Sequence, residues 1–154
     1  MPPSTLQTMT LQRDVGHVPF REVAIPSDPT EARCFQDQLE QLLQQGRASS
    51  HDIFSIRLAL EEALINAIKH GNQLDRNKKV NISYRILEDR FEVRINDEGP
   101  GFDPSDVPDP TAIENLERPC GRGLMLMRHY MDDVAYNSRG NGVVMHRIFR
   151  AGKK

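Results

Sequence analysis

Leu58-Ala59-Leu60-Glu61-Glu62-Ala63-Leu64-Ile65-Asn66-Ala67-Ile68-Lys69-His70-Gly71 is the segment from which the architecture of this chain can be inferred. On a helical wheel at about 100° per residue, Ile53, Ile56, Leu60, Ala63 and Ala67 line up as one apolar seam, continued at its edge by Leu64 and Ile68. The spacing predicts a helix whose seam is turned towards a sheet. Glu62, Asn66 and His70 recur at helical intervals as a narrow polar stripe, with Leu58 and Ile65 on its other flank. The helix is expected to begin after Ser49 or Ser50 and to end at Gly71, which suits the left-handed position after a C-cap.

Upstream of this helix, residues 1–16 mix Pro, Ser, Thr and Gln with no period and are expected to form a mobile tail, leaving 17–151 as the folded domain. Val18 to Ile25 reads as a strand closed by Pro26. Ser27-Asp28-Pro29 starts a first helix that reaches Gln45 and stops at Gly46. Downstream, Val80, Ile82, Tyr84 and Ile86 alternate with polar residues, turn at Glu88-Asp89 and continue in Phe91, Val93 and Ile95, which predicts a β-hairpin. From Glu98 to Pro119 glycines, prolines and acids make a loop of about twenty residues, long enough to be a lid. Gly123 to Met131 has helical spacing, with Met125, Met127 and Met131 read as core, and strands at 134–136 and 143–149 close the chain. The resulting order β-α-α-β-β-α-β-β predicts an α/β fold: a two-layer sandwich of a mixed, mostly antiparallel sheet on about three helices.

Bulk properties narrow the function. At 154 residues, 38% apolar and 27% charged, the chain is one domain with a core of its own. A net charge of −2 offers no basic face for nucleic acid, so protein or small-molecule partners are expected. No run approaches the roughly 18 apolar residues of a membrane span, and the first 16 residues lack a signal peptide's apolar stretch, so the expected location is the cytoplasm. Cys34 and Cys120 show no metal-binding spacing and are read as reduced thiols.

Three features carry chemistry. Glu62 and Asn66 are either a solvated stripe or a shielded pair; shielded, they need partners, because an unpaired buried polar group costs about 1–3 kcal/mol. A hydrated cation would satisfy both, with the Asn66 oxygen as a hard ligand for Mg²⁺ and Glu62 free to act as a base. His70 is read as a capping or packing residue. Asp97 falls on the same strand face as Phe91, Val93 and Ile95, then runs into Glu98-Gly99-Pro100-Gly101-Phe102. It either starts an Asx-turn or accepts a hydrogen bond from the exocyclic amine of adenine, with the glycines letting the base approach backbone. Gly121-Arg122-Gly123-Leu124 opens a helix, where exposed N–H groups suit phosphate oxygens. Arg122 either reaches a phosphate or faces solvent.

Taken together and in order, Glu62-x-x-x-Asn66-x-x-x-His70-Gly71, Asp97 to Phe102 and Gly121 to Leu124 resemble the three nucleotide-binding boxes of the gyrase, heat-shock chaperone and histidine-kinase ATPase superfamily (the Bergerat fold). Within it, the chain resembles the bacterial anti-sigma factor serine/threonine-protein kinases, from about Val18 to Arg150. The resemblance implies Glu62 as catalytic base and Asn66 as Mg²⁺ ligand. It implies an ATP site drawn from Asn66, Lys69, His70, Asp97, Gly99, Gly101, Phe102, Gly121, Arg122, Gly123 and Leu124. It also implies two protein partners, an anti-sigma-factor antagonist that is phosphorylated on serine and a sigma factor that is sequestered, and a homodimer. Arg33 aligns loosely with a first-helix arginine that relatives present to partners; it is also read as a plain surface residue. Two departures stand out: Val143-Val144 replaces a threonine common in relatives, and the segment 103–120 has few hydroxyl and lysine side chains, leaving phosphate contacts to Arg118 or Arg122. The alternatives are a non-catalytic nucleotide-binding interaction module and a histidine-kinase-like ATPase.

Overall fold

A computed structural model of the chain describes residues 18–100 and 119–150, with 119–122 given by their backbone course. Strand β1 (Arg21–Pro26) is followed by helices α1 (Pro29–Gln44) and α2 (Ser50–Ile65), strands β2 (Lys79–Ile86) and β3 (Arg90–Asn96), helix α3 (Pro119–Tyr130), and strands β4 (Asp133–Tyr136) and β5 (Gly142–Ile148). This is the expected order. The sheet runs β1-β2-β3-β5-β4 and all four pairings are antiparallel, so the parallel component of a mixed sheet is absent among the described residues.

Alternation explains how the sheet sits. Ile82 pairs with Ile95, and Tyr84 with Val93. Val93 in turn faces Met145, and all five side chains are buried on the helical side. Each fully buried aliphatic side chain there contributes about 1.5–3 kcal/mol. Leu39 and Leu43 of α1, Ile56, Leu60 and Leu64 of α2, and Met127 of α3 close the core from the other layer. Met131 is buried as expected, whereas Met125 is 40% exposed, because the helix turns it away from α2.

The helix starts are set by side chains. Asp28 accepts the Thr30 N–H at 2.9 Å with Pro29 in the first turn of α1. Ser49 and Asp52 form a capping box on α2. Asp52 is also fully buried: it accepts from Arg147 Nε at 3.0 Å and from the Arg150 N–H at 3.0 Å, while Arg147 Nη1 donates to the Tyr130 carbonyl at 2.7 Å. One carboxylate therefore ties the start of α2 to β5 and the end of α3.

The polar-stripe helix departs from expectation at its end. The buried seam is Ile56, Ala59, Leu60, Ala63, Leu64, Ala67 and Ile68, but regular α-helix stops at Ile65 and residues Asn66–Gly71 wind as a π-helical turn. The Asn72 N–H donates to Ala67 O at 2.8 Å and the Leu74 N–H to Ile68 O at 2.8 Å. Gly71 is not left-handed; the wider turn moves the reversal on to Gln73 (φ 56°) and Leu74 (φ 61°). The expected tail, residues 101–118 of the lid and residue 151 lie outside the described residues.

Candidate functional site

Beyond the π turn a cavity of about 250 Å³ opens between α2 and the ends of β3 and β5. Asn66, His70 and Gly71 border it on the helical side, Asn141, Gly142 and Val143 on the opposite side, and Asp97 lies at its base beside Ile95. Ala63 and Ala67 keep the helical wall low and apolar, leaving room for a flat ring.

Asp97 forms one of the two arrangements expected of it. Its Oδ1 accepts the Gly99 N–H at 2.8 Å, forming the Asx-turn, and its carboxyl group still lines the cavity. Its own N–H donates to Asn141 O at 2.9 Å, which pins the end of β3 to the β4–β5 turn. Burial pushes the Asp97 carboxyl above its ordinary value of 3.8, partly opposed by the Gly99 N–H and the charge of Lys78.

The glycines here are required by close approach. A methyl group on Gly71 would lie 2.3 Å from the Asp97 carboxyl carbon. On Gly123 it would lie 2.9 Å from Glu62 Oε1 and 3.1 Å from Asn66 Nδ2. The structure thus brings Glu62 and Asn66 against α3; Asn66 lines the cavity, and Glu62 lies one helical turn further along α2, outside its lining. Glu62 and Asn66 are half-buried, so this part of the stripe is shielded, while its third member, His70, is exposed.

The remaining sequence candidates fall into three groups. Leu124 is buried behind Gly123. His70 is exposed at the cavity's rim, and Lys69 is exposed outside it, as is Arg33 on α1. Gly101, Phe102 and Arg118 lie outside the described residues, while Gly121 and Arg122 are placed as the start of α3 without their side chains. Sequence reading missed Tyr136 and Asn141, which line the cavity, and Asn72, which is fully buried beneath it. An asparagine just after a helix-ending glycine looks like an ordinary turn residue; no periodicity marks it.

A two-layer sandwich whose cavity lies between a helix and the ends of the sheet strands, with a half-buried carboxylate in its lining, is the layout of a histidine kinase-like ATPase domain. That family matches residues 25–147, and the chain belongs to it. ATP use follows from that membership. The chain is 28% identical over 132 residues to the serine-protein kinase RsbW of Oceanobacillus iheyensis, covering 82% of this chain and 84% of that protein. It is 30% identical over 131 residues to serine-protein kinase RsbW of Listeria monocytogenes, covering 79% and 82%. The crystal structure of the RsbU and RsbW domains of Rv1364c from Mycobacterium tuberculosis superposes with a TM-score of 0.58 at 17% identity. That match covers 86% of this chain but 32% of the longer one, about a third of its length, and it supports the fold alone.

Proposed function

We propose that the protein is a Mg-ATP-dependent serine/threonine kinase and anti-sigma factor, which phosphorylates an anti-sigma-factor antagonist and so switches a sigma factor between free and sequestered states. The observation that carries this reading is the convergence of Glu62 and Asn66 on Gly123. A binding module would need the cavity and Asp97 alone; a carboxylate held at the phosphate end of the site serves transfer.

The residues fit a purine nucleotide: an acceptor in the lining of the cavity, glycine backbone beside it, an amide on its helical wall, and a carboxylate one helical turn beyond. Asp97 accepts the exocyclic amine of adenine. The N–H groups of the first turn of α3, Gly121 and Arg122 among them, face the phosphates with the positive end of the helix dipole, while Gly123 and Leu124 lie a turn further in. Asn66 supplies a hard oxygen for Mg²⁺. Glu62 takes the proton from the attacking serine hydroxyl. Bound Mg-ATP supplies the transferable phosphoryl group and neutralises its charge. Lys69, His70, Gly99, Gly101, Phe102 and Arg122 complete the surroundings of the nucleotide in this reading.

Residues 17–151 form the ATPase domain, acting in the cytoplasm with the antagonist, a sigma factor and a second copy of the chain as partners. A net charge of −2 favours protein partners over nucleic acid. No helix among the described residues is long and apolar enough to cross a membrane.

The test is incubation with labelled ATP, Mg²⁺ and candidate antagonists from the same genome. Label on an antagonist serine, lost in Glu62→Gln, supports the kinase. Tight antagonist or sigma-factor binding with no label transferred by the wild type replaces it with the binding module, and ATP hydrolysis without a protein acceptor replaces it with a simple ATPase.

A further inference from the structure

Asn72 belongs to none of the motifs that define the site, yet it is fully buried and all its polar atoms are engaged. Its Nδ2 donates to Ser27 Oγ at 2.9 Å and to the Lys79 carbonyl at 3.0 Å. Its Oδ1 accepts the Glu98 N–H at 2.7 Å. Ser27 Oγ in turn donates to the Lys78 carbonyl at 2.7 Å. One carboxamide, with donors and acceptor on the same planar group, thereby joins the β1–α1 junction, the start of β2 and the residue that follows Asp97. Asp97 itself hangs between two pins. Its own N–H is held by Asn141 O, and the next N–H along the chain is held by Asn72.

We infer that Asn72 is a positioning residue for base recognition: by holding the Glu98 N–H it fixes where the Asp97 carboxylate meets the purine, and so sets the preference for adenine over guanine. The inference rests on the reading of Asp97 as the adenine acceptor. Adenine presents an amine donor at the position where guanine presents a carbonyl oxygen. A carboxylate held in one place accepts from the first and repels the second. A carboxylate free to swing away loses alignment with the amine and escapes the repulsion, so discrimination falls from both sides.

The arrangement also supplies its own control. Ser27 partners the same amide on the side away from Asp97, so Ser27→Ala removes a buried hydrogen bond without touching the Glu98 N–H contact. The experiment measures ATP and GTP dissociation constants and melting temperatures for the wild type, Asp97→Asn, Asn72→Ala, Asn72→Ser and Ser27→Ala. Asn72→Ala is expected to cut the ATP-to-GTP preference about tenfold, chiefly through weaker ATP binding, while Ser27→Ala lowers the melting temperature and leaves the preference within about twofold. Asn72→Ser stands in if the alanine variant does not fold. Wild-type preference in a folded Asn72 variant overturns the inference, as does an equal loss in Ser27→Ala. If the wild type shows no preference for ATP, or Asp97→Asn retains it, the reading of Asp97 has failed first and this inference falls with it. Loss in Asp97→Asn with retention in the Asn72 variants sinks the inference alone.

Discussion

The backbone of Gly99 rests on the backbone of Gly71, so that a methyl group on Gly99 would lie 1.9 Å from the Gly71 carbonyl oxygen. The obstacle is main chain and cannot rotate away. Gly99→Ala must therefore lift the Asp97 turn off the π turn. ATP affinity is expected to fall at least about tenfold, and the overpacking cost of about 1–3 kcal/mol should lower the melting temperature by several degrees. Gly46→Ala is the control, since a methyl there meets only Leu43 O at 3.9 Å. Calorimetric titration and thermal melts read both; unchanged affinity in Gly99→Ala would show that the turn yields freely.

Asp97 gives the site a pH dependence whose sign can be worked out. Burial raises its folded-state value above 3.8, so the ionised form weakens the fold, and protonation as pH falls through that raised value restores stability. Nucleotide binding runs the other way, because the amine of adenine needs the carboxylate. ATP affinity should fall as pH drops through that raised value, with proton release on binding there. Comparing the wild type with Asp97→Asn on either side of it cancels the protonation of ATP itself, and parallel profiles for the two would remove Asp97 from the binding step.

The Asp52–Arg147 pair predicts a stability effect separate from the site. Burial opposes the Asp52 charge, but the N–H groups of Ser49 and Arg150 and the Arg147 guanidinium outweigh it and hold the carboxyl below 3.8. Its stabilisation is present above that value and is lost as pH falls through the lower folded-state one. Asp52→Asn leaves Arg147, 6% exposed, without its counter-charge. The expected cost is about 3–5 kcal/mol, or roughly 10 °C in melting temperature, narrowing below pH ~3.8. Asp52 and Asn66 stand about 20 Å apart along the helix, so ATP affinity of the folded variant should stay within about twofold of wild type.

The metal assignment separates from the base assignment by cofactor dependence. Asn66→Ala should weaken Mg-ATP binding while leaving metal-free ATP binding nearly unchanged. Glu62→Gln should keep Mg-ATP affinity and lower phosphotransfer by about 10²–10⁴-fold. Equal Mg-ATP affinity in wild type and Asn66→Ala would take the metal ligand away from Asn66.

The hairpin and the seam of α2 were legible because a single physical rule governs each. Tyr84 and Val93 face the core because strand residues alternate, and Leu60 and Leu64 because an amphipathic helix has one dry side. Asp97 was legible as an anomaly in such a pattern. What remained hidden depends on contacts between distant segments. Gly71 looked like a left-handed cap, yet its requirement comes from Asp97, 26 positions later. Ser49 was legible as a helix start, but nothing local announces that Asp52 will close its capping box and be buried against Arg147. The π turn has no compositional signal, and Asn72 acquires its role only when Ser27, Lys79 and Glu98 arrive around it.

The reversal at Gln73 and Leu74 has a kinetic consequence. Neither residue favours a left-handed conformation, which costs about 1 kcal/mol or more for each. A segment that opposes its own shape is a poor nucleus, so this reversal is expected to form after β2 has docked and Asn72 has found its partners. Leu74→Gly should therefore lower the unfolding limb of a chevron plot while leaving the folding limb in place. The folded molecule would live longer without forming any faster; a shifted folding limb would place this reversal in the nucleus instead.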